Sequence, residues 1–288
     1  MKKDMIFFAF RYFVVPQEDQ ITMQQLLIEN KNKLVIDFFE KIKEQKYIFT
    51  ANNRKHIIYY SSKISENIHL YKLARETLRT LHQDGETDVQ TLEELDYPYI
   101  YFIIDYQKQI ILFQKKTTLF KKVNTVKNII EELITDKINS FDYGIFLEEI
   151  TDEYVFWNYI YESSKIYELK LKLNSPNLFG GFLDAEKLLK KINVLFNNTS
   201  TDIKFKNEKG RLKVDKENID GFIKYITGGG GEWELNIIYK GKQQKISSKE
   251  NIKTIDLPAD INDNDSSKDK VIEGIEELDH ILGEGKGE

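Results

Sequence analysis

Between residues 164 and 240 the apolar residues change their spacing repeatedly, and this pattern constrains the fold more than any other feature of the chain. Ile166, Leu169, Leu171 and Leu173 make a strand that Pro176 ends, and Leu188, Leu189, Ile192 and Leu195 mark a helix over 183–196. Two short strands, 202–206 and 211–214, flank a turn at Gly210. A second helix over 217–226 and a strand over 232–239 follow. Strand, helix, strand, strand, helix, strand is the ferredoxin-like order. The turn Gly241-Lys242 leaves room for added edge strands near 244–247 and 251–257.

The first half predicts a separate α+β unit. Met5 to Val15 is dense in Phe, Ile and Val without clean alternation, which predicts a buried strand ended by Pro16. A helix is expected from about Thr22 to Gln45, then a hairpin about Asn52-Asn53. Residues 66–82 fit helix and strand equally, and 83–96 form a polar, acidic loop. A hairpin at 99–104 and 109–114, a helix through Val126, Ile130 and Ile134, and a strand over 143–150 complete the unit. Residues 151–163, with Trp157 and three tyrosines, are expected to pack as core at the joint between units.

A chain of 288 residues, 41% hydrophobic, has material for two cores. The expected division is an N-terminal α+β domain over 1–150, a ferredoxin-like domain over 151–258 and an acidic tether over 259–288. That last stretch holds ten acids against three lysines, whereas the rest carries 39 basic and 37 acidic residues, a net of +2. Overall acidity therefore does not argue against a nucleic-acid partner, because a local basic patch decides that. Within the tether Val271, Ile272, Ile275, Leu278, Ile281 and Leu282 fall on one helical stripe, the pattern of a partner-docking helix or of a helix folded back on its own domain. Gly274 weakens it and favours formation on contact.

With no cysteine, disulfides, thiolate nucleophiles and Cys-ligated zinc are excluded. The start has no signal-peptide cleavage pattern, and its apolar run is too short to span a bilayer, so a cytoplasmic protein without membrane contact is expected. His56, His69, His82 and His280 fall in no metal-binding spacing, and no cofactor is expected. The run Thr227 to Glu232, with four glycines, follows a helix rather than opening one, so it predicts a chain reversal and not a phosphate cradle.

Two chemistries remain. A metal-dependent nuclease would use Asp142 or Asp152 ahead of Glu168 and Lys170, although that tripeptide sits on an alternating strand where both side chains share the solvent face. Basic residues interleaved with aromatics are the stronger lead: Lys46, Arg54 and Lys55 around the first hairpin with Tyr59 and Tyr60, and Lys204, Lys206, Arg211 and Lys213 in the second half. Such sheets bind single strands by stacking bases on aromatics while lysines take the phosphates. A solvated strand face of mixed charge is the competing reading.

The stretch Tyr-Pro-Tyr-Ile-Tyr-Phe-Ile-Ile-Asp (97–105), then Gln-Ile-Ile-Leu-Phe-Gln-Lys (109–115), then Phe120, a helix and a β-rich second half resembles bacterial phage-defence proteins of the abortive-infection type. Examples are the exclusion protein of phage lambda and the second component of the Kiwa system. The resemblance covers about 95–240 and is one of architecture, so it carries over no functional residue. It implies a DNA-associated sensor or effector in abortive infection; taken with the basic hairpin faces and the acidic tail, the expected function is a non-catalytic sensor or accessory protein that binds nucleic acid, DNA before RNA, and docks a protein partner. A protein-interaction or inhibitory subunit without nucleic-acid binding is the further alternative, and homodimerisation stays open.

Overall fold

The computed structural model describes residues 4–17, 28, 30–84, 86, 88–175, 184–196, 198–262 and 264–283. The chain begins with β1 (Met5–Pro16), α1 (Asn32–Glu44), β2 (Tyr47–Ala51), β3 (Arg54–Lys63) and β4 (Ile68–Arg75). It continues through β5 (Thr77–Asp84), β6 (Val89–Asp96), β7 (Tyr99–Asp105), β8 (Ile110–Gln114), α2 (Val123–Ile138) and β9 (Tyr143–Glu149). Then come α3 (Glu153–Glu162), β10 (Lys165–Asn174), α4 (Asp184–Phe196), β11 (Ser200–Lys206) and α5 (Lys216–Tyr225). The last elements are β12 (Gly231–Tyr239), β13 (Lys242–Ser247), β14 (Thr254–Leu257) and α6 (Asp265–Gly283).

The larger sheet is antiparallel in the order β14-β1-β8-β7-β4-β3-β2, with β9 sharing the β14 edge of β1. Its two faces explain the poor alternation of β1. Phe10, Tyr12 and Val14 face α1 and α2 in one buried cluster, while Phe7 and Ala9 on the other face meet Val271, Ile275 and Leu278 of α6. A strand covered on both faces has no solvent side to mark with polar residues.

The tail is therefore not a tether in this structure. Val271, Ile275 and Leu278 are fully buried against the larger sheet, so the stripe expected to dock a partner is already occupied. Ile272 packs partly buried beside it; the side chains of Ile281 and Leu282 lie outside the described residues. Gly274 serves packing: a Cβ there would stand 3.3 Å from Ile255 Cδ1, so its absence lets α6 approach β14 closely.

The smaller sheet is antiparallel, β11-β10-β12-β13. Leu169, Leu171, Leu173, Trp233, Leu235 and Ile237 bury one face under α3, α4 and α5, with Phe156, Trp157 and Ile160 among the covering residues. The ferredoxin-like expectation fails on topology. The strand after α4 returns antiparallel beside β10, whereas the split β-α-β arrangement places another strand between them. Residues 211–214 make no strand, only a bridge between Arg211 and Ile166. The 151–258 boundary fails too, because β14 pairs with β1: Met5 faces Leu257 and Phe8 faces Thr254.

Within 66–82, residues 68–75 and 77–82 are strand, and the expected acidic loop is instead the arm β5–β6, a two-stranded extension of the β4–β7 pair. Leu78 faces Leu95 and Leu81 faces Leu92 across it. The expected helix from Thr22 is described only as α1; residues 18–27 lie outside the described set.

The glycine run is the junction between layers. Gly228, Gly229 and Gly230 are buried in a π-turn that ends α5, and Arg11 reaches it from β1. Arg11 Nε donates to Gly228 O (2.6 Å), Nη1 to Lys108 O (2.6 Å) and Nη2 to Asp279 Oδ1 (3.1 Å), tying the turn, the β7–β8 loop and α6 together. Gly229 has φ +90°, and a Cβ there would lie 2.6 Å from Arg11 Cβ, so both conformation and space demand glycine. The chain leaves the larger sheet at Ile150 and returns at Lys253, whose N–H donates to Ile150 O (2.7 Å).

Candidate nucleic-acid interface

Residues 97–102 alternate Tyr-Pro-Tyr-Ile-Tyr-Phe, and on β7 the alternation separates faces: Ile100 and Phe102 go fully into the core, while Tyr99 and Tyr101 take the opposite face. Pro98 is tolerated just before the strand because its carbonyl still accepts from Arg75 N–H (3.0 Å). Register then assembles a row across three strands, since Tyr59 of β3 faces Lys72 of β4, and Lys72 faces Tyr101 of β7. The next row brings Ile48, Ile57, Ala74 and Tyr99 together.

Lys72 Nζ lies 4.9 Å from the ring centre of Tyr99 and 5.6 Å from that of Tyr101; Lys116 Nζ lies 5.5 Å from Tyr99. The two rings meet edge to face at 5.3 Å. Lys116 also donates to Tyr99 O (3.1 Å), which fixes its stem along the strand end. Beyond this row Lys55 Nζ and Tyr97 OH both donate to Glu76 Oε2, at 2.7 and 3.0 Å. The hydrogen bond from Lys55, then that from Tyr97, holds the Glu76 carboxyl below the usual carboxylate range, and the Glu76 bond pushes the Tyr97 phenol up.

The rings of Tyr59, Tyr99 and Tyr101 are half-buried, with Ile48 48% and Tyr97 38% exposed around them. Tyr101 packs at the margin of the buried cluster that α6 completes, and the face continues from it towards Tyr99 and Tyr59. With Lys72 over the Tyr99 and Tyr101 rings and Lys116 over Tyr99, the face joins aromatic surface to positive charge, the two groups that take bases and phosphates of a single strand.

Of the hairpin cations expected from sequence, only Lys55 joins this face. Arg54 alternates to the opposite side at the hairpin tip, and Lys46 is exposed in the link before β2. Tyr60 points to the α1 side, edge on to Tyr71 at 5.5 Å. The second basic group does not gather as a patch. Lys204 pairs with Glu168 (3.0 Å) and Lys170 with Asp202 (3.1 Å) across the strands, and Lys206 with Glu208 (3.7 Å) just past the end of β11, a chequer of both signs. Arg211 and Lys213 are exposed in the irregular segment after β11.

The nuclease arrangement is not assembled either. Glu168 and Lys170 are occupied by those partners, and Asp142 caps the turn between α2 and β9, its carbonyl accepting from Gln17 N–H (2.9 Å). Asp152 caps α3 by accepting from Tyr154 N–H. Among the described residues, no group of three or more His, Asp or Glu side chains is placed to hold a metal ion.

Sequence reasoning missed Lys72, Tyr97, Tyr99, Tyr101 and Lys116 as site residues. The spacing of the three tyrosines at every second position was the available signal. Compared with protein-family models, curated proteins and solved structures, the chain matches none.

Proposed function

We propose that this chain is a non-catalytic binding protein for single-stranded nucleic acid, DNA before RNA, and that the strand lies across β3, β4 and β7. The observation that carries the reading is the Tyr59–Lys72–Tyr101 row with Tyr99 and Lys116 beside it, which supplies stacking surface and phosphate contacts on one rigid sheet face. Bases stack on such rings without regard to sequence, so the expected preference is for single strands over duplex. A role as a cytoplasmic sensor or accessory component in phage defence is consistent with this activity and rests on the architectural resemblance.

The test is anisotropy of labelled single- and double-stranded oligonucleotides at low and moderate salt. Tyr99→Ser with Tyr101→Ser should cost about 1–3 kcal/mol per stacked base, so about thirtyfold or more in affinity for the pair. Lys72→Ala and Lys116→Ala should each flatten the salt dependence by about 0.7 in log-log slope. Lys204→Gln with Lys206→Gln should change binding little. Wild-type protein that binds no single strand, or a tyrosine double variant that binds like wild type, would overturn the proposal.

A further inference from the structure

Among the described residues, β5 and β6 pair only with each other, and a two-stranded ribbon on its own is at best marginally stable in water. Yet Leu78, Val89 and Leu95 stand on this arm 67%, 61% and 58% exposed. Residues 77–96 also hold six acids against one arginine. An acidic ribbon with bare apolar side chains is an interaction surface, and strand register identifies what it fits.

The β4–β7 pair and the arm share one register. Tyr101 faces Lys72 and Tyr99 faces Ala74 on the sheet; Leu95 faces Leu78 and Glu93 faces Thr80 on the arm, in unbroken step. The link between them keeps that step, since Arg75 N–H donates to Pro98 O and Tyr97 OH reaches Glu76 directly opposite. Side chains two residues apart share a side of a strand, so Tyr101, Tyr99, Tyr97, Leu95 and Glu93 follow one another along one side. On the sheet that side is aromatic and basic, with Lys72 over two rings. On the arm it is apolar and acidic, carrying all three of the most exposed apolar side chains together with Glu93 and Asp84. The reverse side of the arm is balanced: Arg79 faces Glu94, and Leu81 faces Leu92.

Such a strip is complementary to itself when turned end for end. About a two-fold axis at the Glu76–Tyr97 row, Leu95 of one copy meets Tyr99 of the other and Glu93 meets Lys72, because each pair stands equally far from the axis. The arm does not make this contact within its own chain, since it continues β4 and β7 beyond their ends and leads away from its own tyrosines. Among the described residues Lys72 and Glu93 form no salt bridge, whereas Lys55 is already spent on Glu76 (2.7 Å).

We propose that two copies of this chain pair face to face through this strip, each arm laid on the tyrosine and lysine surface of the other. The contact is isologous, so each favourable pair occurs twice. A basic partner protein would answer the acids and leave the tyrosine face bare; a second copy answers both. The pairing does not rest on strand binding. Where a single strand also takes Lys72, Tyr99 and Tyr101, strand and arm exclude each other, and the dimer is the closed form of that surface.

The test is sedimentation velocity of the full chain over a concentration series at low and moderate salt. The expected result is a monomer–dimer equilibrium that salt weakens. Glu93→Lys or Lys72→Glu alone sets like charges against each other twice per dimer and should raise the dissociation constant about tenfold or more. Both changes in one chain should bring it back to within about threefold of wild type, a rescue that a misfolded arm would not show. Leu78→Ser with Leu95→Ser, at exposed positions, should shift the chain to monomer. A wild-type chain that is monomeric throughout, single reversals without effect, a double reversal no better than the singles, or serine variants that dimerise like wild type would each overturn the proposal. An oligonucleotide whose binding requires Tyr99 and Tyr101 should convert dimer to monomer, and binding of that kind to an intact dimer also overturns it. An oligonucleotide that does not bind refutes the strand reading alone, because the reversal series reads the pairing without it.

Discussion

Leu278→Ala tests whether the C-terminal segment is part of the fold. Leu278 is fully buried in one cluster with Phe7, Leu70, Ile103, Leu112, Val271 and Ile275, side chains from α6 and the larger sheet. Cutting a leucine back to a methyl at such a site loses transfer free energy and leaves a cavity, for a cost of about 2–5 kcal/mol. Taking about 3 kcal/mol, and about 2–4 °C per kcal/mol for a chain of this size, the melting temperature should fall by about 6–12 °C. Urea unfolding followed by far-UV circular dichroism measures the loss across both sheets. Tryptophan fluorescence reports the smaller layer alone, because Trp157 and Trp233 both belong to its core. The control is Glu277→Ala on the exposed face of the same helix, expected within about 0.5 kcal/mol of wild type. A Leu278→Ala protein within that same margin would mean that α6 does not sit on the sheet in solution, and the reasoning that removed the tether would be refuted.

Gly229→Ala should destabilise by about 1–3 kcal/mol, through the positive φ and the contact with Arg11, and thermal unfolding that matches wild type would refute the junction. The raised carboxyl of Glu148 gives a pH prediction. Between the unfolded pKa and the higher folded one the native state holds more protons, so stability falls as pH rises through that window. Glu148→Gln should therefore gain on wild type as pH rises above the ordinary carboxyl range, and a difference that stays constant with pH rejects the assignment. Lys204→Gln should cost less than about 1 kcal/mol, since its pair with Glu168 is largely solvated; a larger loss in urea titration would show the chequered face to be structural.

The strands and helices were legible where one side faces water. The alternation of 166–173 appears as β10, and the dense run of 5–15 as a strand sheathed on both faces. The stripe on α6 was legible as apolar, yet nothing in the residues of a stripe says which surface covers it. Partner choice between distant strands was equally hidden: β14 joins β1 from the far end of the chain through backbone groups that carry no residue code. The same limit applied to the sites. Tyr97, Tyr99 and Tyr101 share a face by simple period, but their union with Tyr59 and Lys72 depends on register between strands. Counting lysines overstated the second basic group, because register also set an acid opposite or beside Lys204, Lys170 and Lys206.

The hydrogen bond between Lys253 and Ile150, with Thr151 bridged to Ile252 next to it, has a consequence for how this chain could be taken apart. The whole smaller layer leaves and re-enters its host at two backbone points already held together, the geometry of a guest domain spliced into a surface loop. A short linker joining those points should release the host as one piece, with β14 and α6 still attached. Such a piece keeps the tyrosine face entire, so excision offers a physical test of whether the proposed strand binding belongs to the larger sheet alone.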